Sequence, residues 1–187
     1  MHIFIIFIII LLILIYLNYY YKFNKNFEIL QLTSNQINHD VLHEKLPIVI
    51  EDIINNIDDF TNVVLTYNYI FKNKVKWNKS KFINKNLSSY LVIYNTNDTN
   101  SNIYISNPKF SNKFKFNKNN SFKYLISDYV VSDVNNINDV QFVKISLKPK
   151  QVMILPSYWL FYIDDEIDTY FLSGICSNIL SIYLSLR

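Results

Sequence analysis

Residues 1–17 read MHIFIIFIIILLILIYL and carry no Lys, Arg, Asp or Glu. No other stretch constrains the chain as strongly. About 20 apolar or interfacial residues at a rise of about 1.5 Å span a hydrocarbon core of roughly 30 Å. The flank Asn18-Tyr19-Tyr20-Tyr21-Lys22 supplies rings that suit the headgroup layer. The sequence therefore predicts a transmembrane helix over residues 1–21. A cleaved signal peptide would need a basic start and a small-residue cleavage site. No Lys or Arg precedes the run, bulky residues come after it, and the chain contains no Ala. The nearest cations, Lys22 and Lys25, lie after the run. By the positive-inside rule, the expected arrangement is a single pass with the N-terminus outside and the main domain on the cytoplasmic side.

The residues beyond the anchor suffice for one domain with a substantial core and are too few to suggest two. The sequence divides into an anchor (1–21), a juxtamembrane stem (22–40) and a domain (41–187). Asn, Ile, Tyr, Phe and Lys dominate, with one Gly, four Pro and one Arg. AT-rich codons encode these residues, so neither the Asn-rich stretches nor the lysines are by themselves signs of function. The net charge of +3 restricts partners little. Cys176 is the sole cysteine, so no internal disulfide can form, which suits a reducing compartment. Four Asn-x-Ser/Thr sequons, at Asn78, Asn86, Asn97 and Asn119, are what chance supplies in so Asn-rich a chain.

Short apolar segments set the fold class. Leu46 to Ile50 reads as a buried strand, Glu51 to Phe60 as a turn or short helix, and Val63 to Tyr67 as another β-rich run. Residues 72–88 read as lysine-rich loop. Tyr90–Tyr94 and Ile103–Ile105 flank turn chemistry and form an expected hairpin. Phe114, Phe116, Phe122, Tyr124 and Ile126 alternate with polar residues. Then come 140–147, 152–155, 159–163, 170–172 and 179–186. Spacing of about ten residues, with many Val, Ile, Tyr and Phe, predicts a mainly β chain with minor α, as one barrel or sandwich domain.

Within that third lies Lys148-Pro149-Lys150-Gln151-Val152-Met153-Ile154-Leu155-Pro156-Ser157-Tyr158-Trp159. This stretch resembles the last conserved segment of cupin-like, jumonji-type domains. There, a Pro-Gly-Asp turn leads into an apolar strand ending at a Pro, and a Trp precedes a metal-binding His. Pro149, Pro156 and Trp159 match, and Leu46-Pro47-Ile48-Val49-Ile50 resembles the strand that opens many such domains. The resemblance implies a double-stranded β-helix, which in active members holds Fe(II) through a His-x-Asp/Glu pair and a distal His and binds 2-oxoglutarate. Here the distal His position holds Phe161 and the turn Gly position holds Lys150. All three histidines, His2, His39 and His43, precede the first clear strand. A 2-His-1-carboxylate site needs imidazoles projecting into one cavity. The implied relative is thus metal-free and catalytically silent.

Other chemistry is scarce. Phosphate loops and dinucleotide fingerprints need several glycines, and Gly174 is alone. Nucleophilic use of Cys176 would need His39 or His43, and its apolar neighbours suggest a buried strand cysteine. His39 and His43 stand at i and i+4, which on a helix share a face and could hold a metal, with Glu44 as an improvised third ligand. Without a Cys or a third His the spacing is weakly specific, and a solvated turn near the stem is the favoured reading. Asp164-Asp165-Glu166-Ile167-Asp168 lacks the ligand alternation of a calcium loop and reads as a hairpin turn.

Lys72, Lys74, Lys76, Lys79, Lys81 and Lys85 form a basic run with Trp77 and Phe82. Lys109, Lys113, Lys115, Lys118 and Lys123 form a second with Phe110, Phe114, Phe116 and Phe122. Such runs usually mark a solvated face; on a tethered domain, anionic headgroups outrank single-stranded nucleic acid as partners. No catalytic, cofactor-binding or metal residue is assigned, and no cofactor is expected. The sequence thus points to a membrane-anchored, non-enzymatic structural or interaction protein. A membrane-bound Fe(II)/2-oxoglutarate-type oxygenase with atypical ligands is the alternative, and a nucleic-acid binder the third.

Overall fold

The computed structural model describes residues 2–21, 24, 26–66, 71–117, 123–131 and 139–174. Among these, the α-helices are α1 (His2–Tyr21), α2 (His39–His43) and α3 (Ile57–Leu65). The strands are β1 (Leu30–Leu32), β2 (Ile48–Ile50), β3 (Phe71–Trp77), β4 (Phe82–Asn86), β5 (Tyr90–Tyr94) and β6 (Ser101–Ser106). They continue as β7 (Phe116–Asn117), β8 (Tyr124–Val130), β9 (Val143–Leu147), β10 (Val152–Pro156), β11 (Leu160–Ile163) and β12 (Ile167–Ser173). Two six-stranded sheets result, ordered β1-β2-β10-β5-β12-β3 and β7-β8-β4-β11-β6-β9. The chain is mainly β, a two-sheet sandwich.

Three apolar layers hold it together. Between the sheets lie Leu91, Ile93, Met153 and Phe171 from the first and Ile103, Ile105, Phe161 and Ile163 from the second. On the outer face of the first sheet, Ile48, Val92, Ile154 and Tyr170 receive Leu42 of α2 and Phe60 and Val64 of α3. On the outer face of the second, Ile83 and Leu160 meet Phe114, Val131 and Val140. Strands β5 and β10 are buried on both faces, which is why each reads as an unbroken apolar run.

Several expectations are corrected. The run Val63–Leu65 ends helix α3 instead of forming a strand. Asn56 accepts from the Asp58 and Asp59 amides at the N-terminus, and Phe60 and Val64 stand four residues apart on the buried face. Most of residues 72–88 is not loop: 72–77 belong to β3 and 82–86 to β4. Strand β3 lies at the edge of its sheet, where lysines block further pairing and cost little to solvate. Tyr90–Tyr94 and Ile103–Ile105 do not form a hairpin, because β5 and β6 belong to different sheets. The side chain of Asn95 builds the corner, donating to the Thr99 and Leu147 carbonyls at 2.9 Å each and accepting from the Asn97 amide at 3.0 Å. The acidic stretch likewise joins strands of opposite sheets, β11 and β12. The expected stem contributes β1, which pairs in parallel with β2.

The side chains of α1 described in the structure, Phe4–Ile15, are all exposed. They cover only about 18 Å of helix. Among the described residues no helix is long and apolar enough to cross a membrane. The anticipated membrane span is thus not found in the structure. Cys176, the expected strand 179–186, Lys118 and Phe122 lie outside the described residues, as do the side chains of Tyr19, Tyr20, Tyr21 and Lys22.

Four non-glycine residues among those described have positive φ: Lys45, Asp139, Lys150 and Tyr158. Lys150, at φ 62°, occupies the turn before β10. Its amide donates to the Asn95 carbonyl at 2.8 Å, and its own carbonyl accepts from Ile54 at 2.9 Å. Left-handed backbone is unfavourable for a residue bearing Cβ. Lys150→Gly keeps both backbone bonds and is expected to stabilise by about 0.5 kcal/mol, the relieved strain exceeding the added freedom of the unfolded chain. A chemical-denaturation midpoint measures it.

Candidate functional site

Phe161 of β11 projects into the inter-sheet space beside β4. Phe161 has no exposure, and the structure fills the space around it with rings. Trp77 lies 5.3 Å from Phe161 and 5.0 Å from Tyr124. Tyr124 stacks on Phe171 at 5.5 Å, and Phe27 stacks on Trp159 at 5.7 Å.

Strand β4 runs beside β11 with Asn84 opposite Phe161. Alternation puts Asn84 and Asn86 on one face. Asn84 donates to the Phe82 carbonyl at 2.8 Å, whereas its Oδ1 and the indole nitrogens of Trp77 and Trp159 make no hydrogen bond among the described residues. Asn86 donates to the carbonyls of Leu155 (3.2 Å) and Pro156 (3.0 Å) and accepts from the Ser88 amide at 3.0 Å. Asn86 therefore acts as a strut from β4 to the end of β10, whereas Asn84 bonds only within its own strand. Sequence reasoning passed over both, although paired polar residues two apart within an apolar strand pattern were the available signal.

The first basic run is matched by carboxylates. Lys72 pairs with Asp58 at 2.6 Å, Lys74 with Asp168 at 2.7 Å, Lys76 with Glu166 at 3.7 Å and Lys79 with Asp164 at 2.8 Å. The acidic stretch 164–168 is thus the counter-charge of the lysine run, brought beside it by the antiparallel pairing of β12 with β3. Asp164 is held below the usual carboxylate range, chiefly by its bond from Lys79. Tyr162, which donates to Asp164 at 3.1 Å, is pushed up to about 12, mainly by burial. Solvent-exposed pairs of this kind add little to stability. In the second run, Lys113 meets Asp139 at 3.8 Å and Lys109 lies 4.9 Å from the ring of Phe110.

Lys85 differs from its neighbours. Its Nζ sits 5.8 Å from the Phe116 ring and 5.6 Å from the Tyr158 ring, and burial lowers its pKa. A lysine with a depressed native pKa binds fewer protons folded than unfolded. Its destabilising contribution therefore fades as pH rises from the native pKa towards the unfolded value. Lys85→Met is expected to stabilise by about 1 kcal/mol at pH 7, with the gain shrinking towards pH 10. Denaturation midpoints of both proteins across that range measure it.

At the opposite flank, a groove of about 580 Å³ opens between the edge strands of the two sheets. Ile29, Val49 and Ile145 form its apolar floor, and Glu51, Lys144 and Gln151 its polar rim. On α2, His39 and His43 bring their Nε2 atoms to 2.7 Å. Among the described residues, no three or more His, Cys, Asp or Glu side chains converge as a metal site would require. Compared with models of known families and with curated proteins, the chain matches none.

Proposed function

We propose that the chain is a lipid-tethered, non-catalytic interaction module built on a cupin-like jelly roll. The observation that carries this reading is the buried Phe161, packed among Trp77, Tyr124 and Phe171 where a metalloenzyme of that architecture needs an open cavity. The strand orders support the architecture. From β3 onward, leaving aside the short β7 and the flanking β8, eight strands divide as β10-β5-β12-β3 and β4-β11-β6-β9. Successive strands of this set alternate between sheets except at β6–β9, as two interleaved Greek keys require.

Tethering rests on α1. An uncharged run whose described side chains are exposed from Phe4 to Ile15 presents an apolar surface that water disfavours and lipid accepts. The groove between the sheet edges is the surface offered to a partner, since edge strands carry backbone groups free to pair.

Full-length protein in detergent micelles, supplied with Fe(II) and 2-oxoglutarate, tests the silent reading. No succinate above the protein-free blank and no stoichiometric iron are expected; turnover with one iron per chain would overturn it. Extraction of native membranes at alkaline pH tests the tether, and release of the full-length chain into the supernatant would refute it.

A further inference from the structure

Helix α2 presents an imidazole pair to which a silent, tethered module gives no role. We propose that His39 and His43 form a two-imidazole chelate for a late first-row divalent cation of the Zn²⁺, Ni²⁺ or Cu²⁺ class. The spacing i, i+4 puts both rings on one face of the helix. Their centroids stand 3.9 Å apart at an interplanar angle of 56°, and the two Nε2 atoms meet at 2.7 Å. Two ring nitrogens this close share one proton, one donating and the other accepting.

A metal ion can take that proton's place with little movement. With M–N bonds of about 2.05 Å, two cis imidazole nitrogens lie about 2.9 Å apart at a right angle and about 3.35 Å apart at the tetrahedral angle. From 2.7 Å the observed pair needs to open by about 0.2 Å for the right angle and about 0.65 Å for the tetrahedral one. Both rings are largely exposed, so water can complete the coordination sphere. The Asp40 carboxylate stands 4.0 Å from His39 Nδ1. That is beyond hydrogen-bond range, so the carboxylate does not fix the ring.

The helix is held in place before any ion arrives. Asn38 accepts from the Val41 amide at 3.0 Å at its start, and Leu42, 2% exposed, is packed in the core. Tyr90 Oη donates to the Leu42 carbonyl, and Asn24 Nδ2 donates to the Glu44 carbonyl at 3.1 Å. Imidazole with an open coordination sphere favours Cu²⁺ over Ni²⁺ and Zn²⁺.

The test is calorimetric titration of the full chain, in detergent micelles, with Ni²⁺ and with Zn²⁺. One ion per chain is expected, with affinity falling at least tenfold in His39→Gln and in His43→Gln. His2 is the chain's third histidine, and His2→Gln is expected to bind as the parent does. Circular dichroism of each variant separates loss of ligands from loss of fold. A Cu²⁺ electron paramagnetic resonance spectrum with coupling from two imidazole nitrogens, lost in the double variant, is the second readout. Affinity unchanged in the double variant, loss of binding in His2→Gln alone, or no binding at millimolar Ni²⁺ overturns the proposal.

Discussion

Replacing Phe161 by alanine is expected to destabilise the domain by about 3–5 kcal/mol, a large part of the 5–15 kcal/mol available to a typical domain. The side chain has no exposure and sits between β4 and β6. The Trp77 ring leans on it, and Trp77 in turn supports Tyr124. Alanine removes the ring's transfer energy and leaves a void that neighbours fixed in two sheets cannot fill. Urea denaturation followed by tryptophan fluorescence measures the loss. Phe161→Leu, which keeps most of the volume, is expected to lose less than half as much. Equal losses would mean the aromatic stack, not the volume, holds the interior.

The second large effect belongs to Asn86. Its amide group ties β4 to the Leu155 and Pro156 carbonyls at the end of β10, across the sandwich, and its Oδ1 fixes the Ser88 amide. Asn86→Ala removes donors from two carbonyls and the acceptor from one buried N–H, at a cost of about 2–3 kcal/mol. Asn86→Asp discriminates further. A carboxylate there can still accept from Ser88 but faces two carbonyl oxygens with no proton to offer. Burial and those oxygens raise its pKa above the unfolded value, so the folded form binds the extra proton. The Asp variant is therefore expected to be weaker than the Ala variant at pH 7 and to recover part of its loss at pH 4. Thermal midpoints at the two pH values decide the point.

The sequence made some of this fold legible and hid the rest for physical reasons. β5, β10 and β11 could be read directly, because burial on both faces leaves no room for polar residues and the runs stand out, whereas β12 showed only its stretch 170–172 because Asp168 and Thr169 break the run. Which sheet each strand joins could not be read, since that depends on pairing across the whole chain. Hence Tyr90–Tyr94 and Ile103–Ile105 looked like a hairpin while the Asn95 corner sends them to opposite sheets. The start of helix α3 fell within the turn or short helix expected over Glu51–Phe60, where Asn56 with Asp58 and Asp59 supplies the start signal, but β-branched Val63 and Val64 hid its second half. The lysines of β3 obscured a strand because an edge tolerates charge that a central strand does not. At the candidate site, the rings that surround Phe161 come from β3, β8 and β12 and share no local pattern. The spacing of His39 and His43 was visible, whereas their meeting at 2.7 Å needed coordinates.

The Asn107 side chain donates to the carbonyls of Asn24 (3.3 Å) and Asn26 (3.0 Å), and Phe27 lies against Trp159 in the heart of the sandwich. Helix α1 ends at Tyr21, so three Cα steps separate it from the first fastened residue. Such a leash extends at most about 11 Å. A protein on so short a tether, if α1 lies in lipid, cannot swing out into solution; it works within a thin shell above the surface. Any force transmitted along the leash would load the Asn107 bonds to Asn24 and Asn26 first, and then Phe27 and, through it, Trp159.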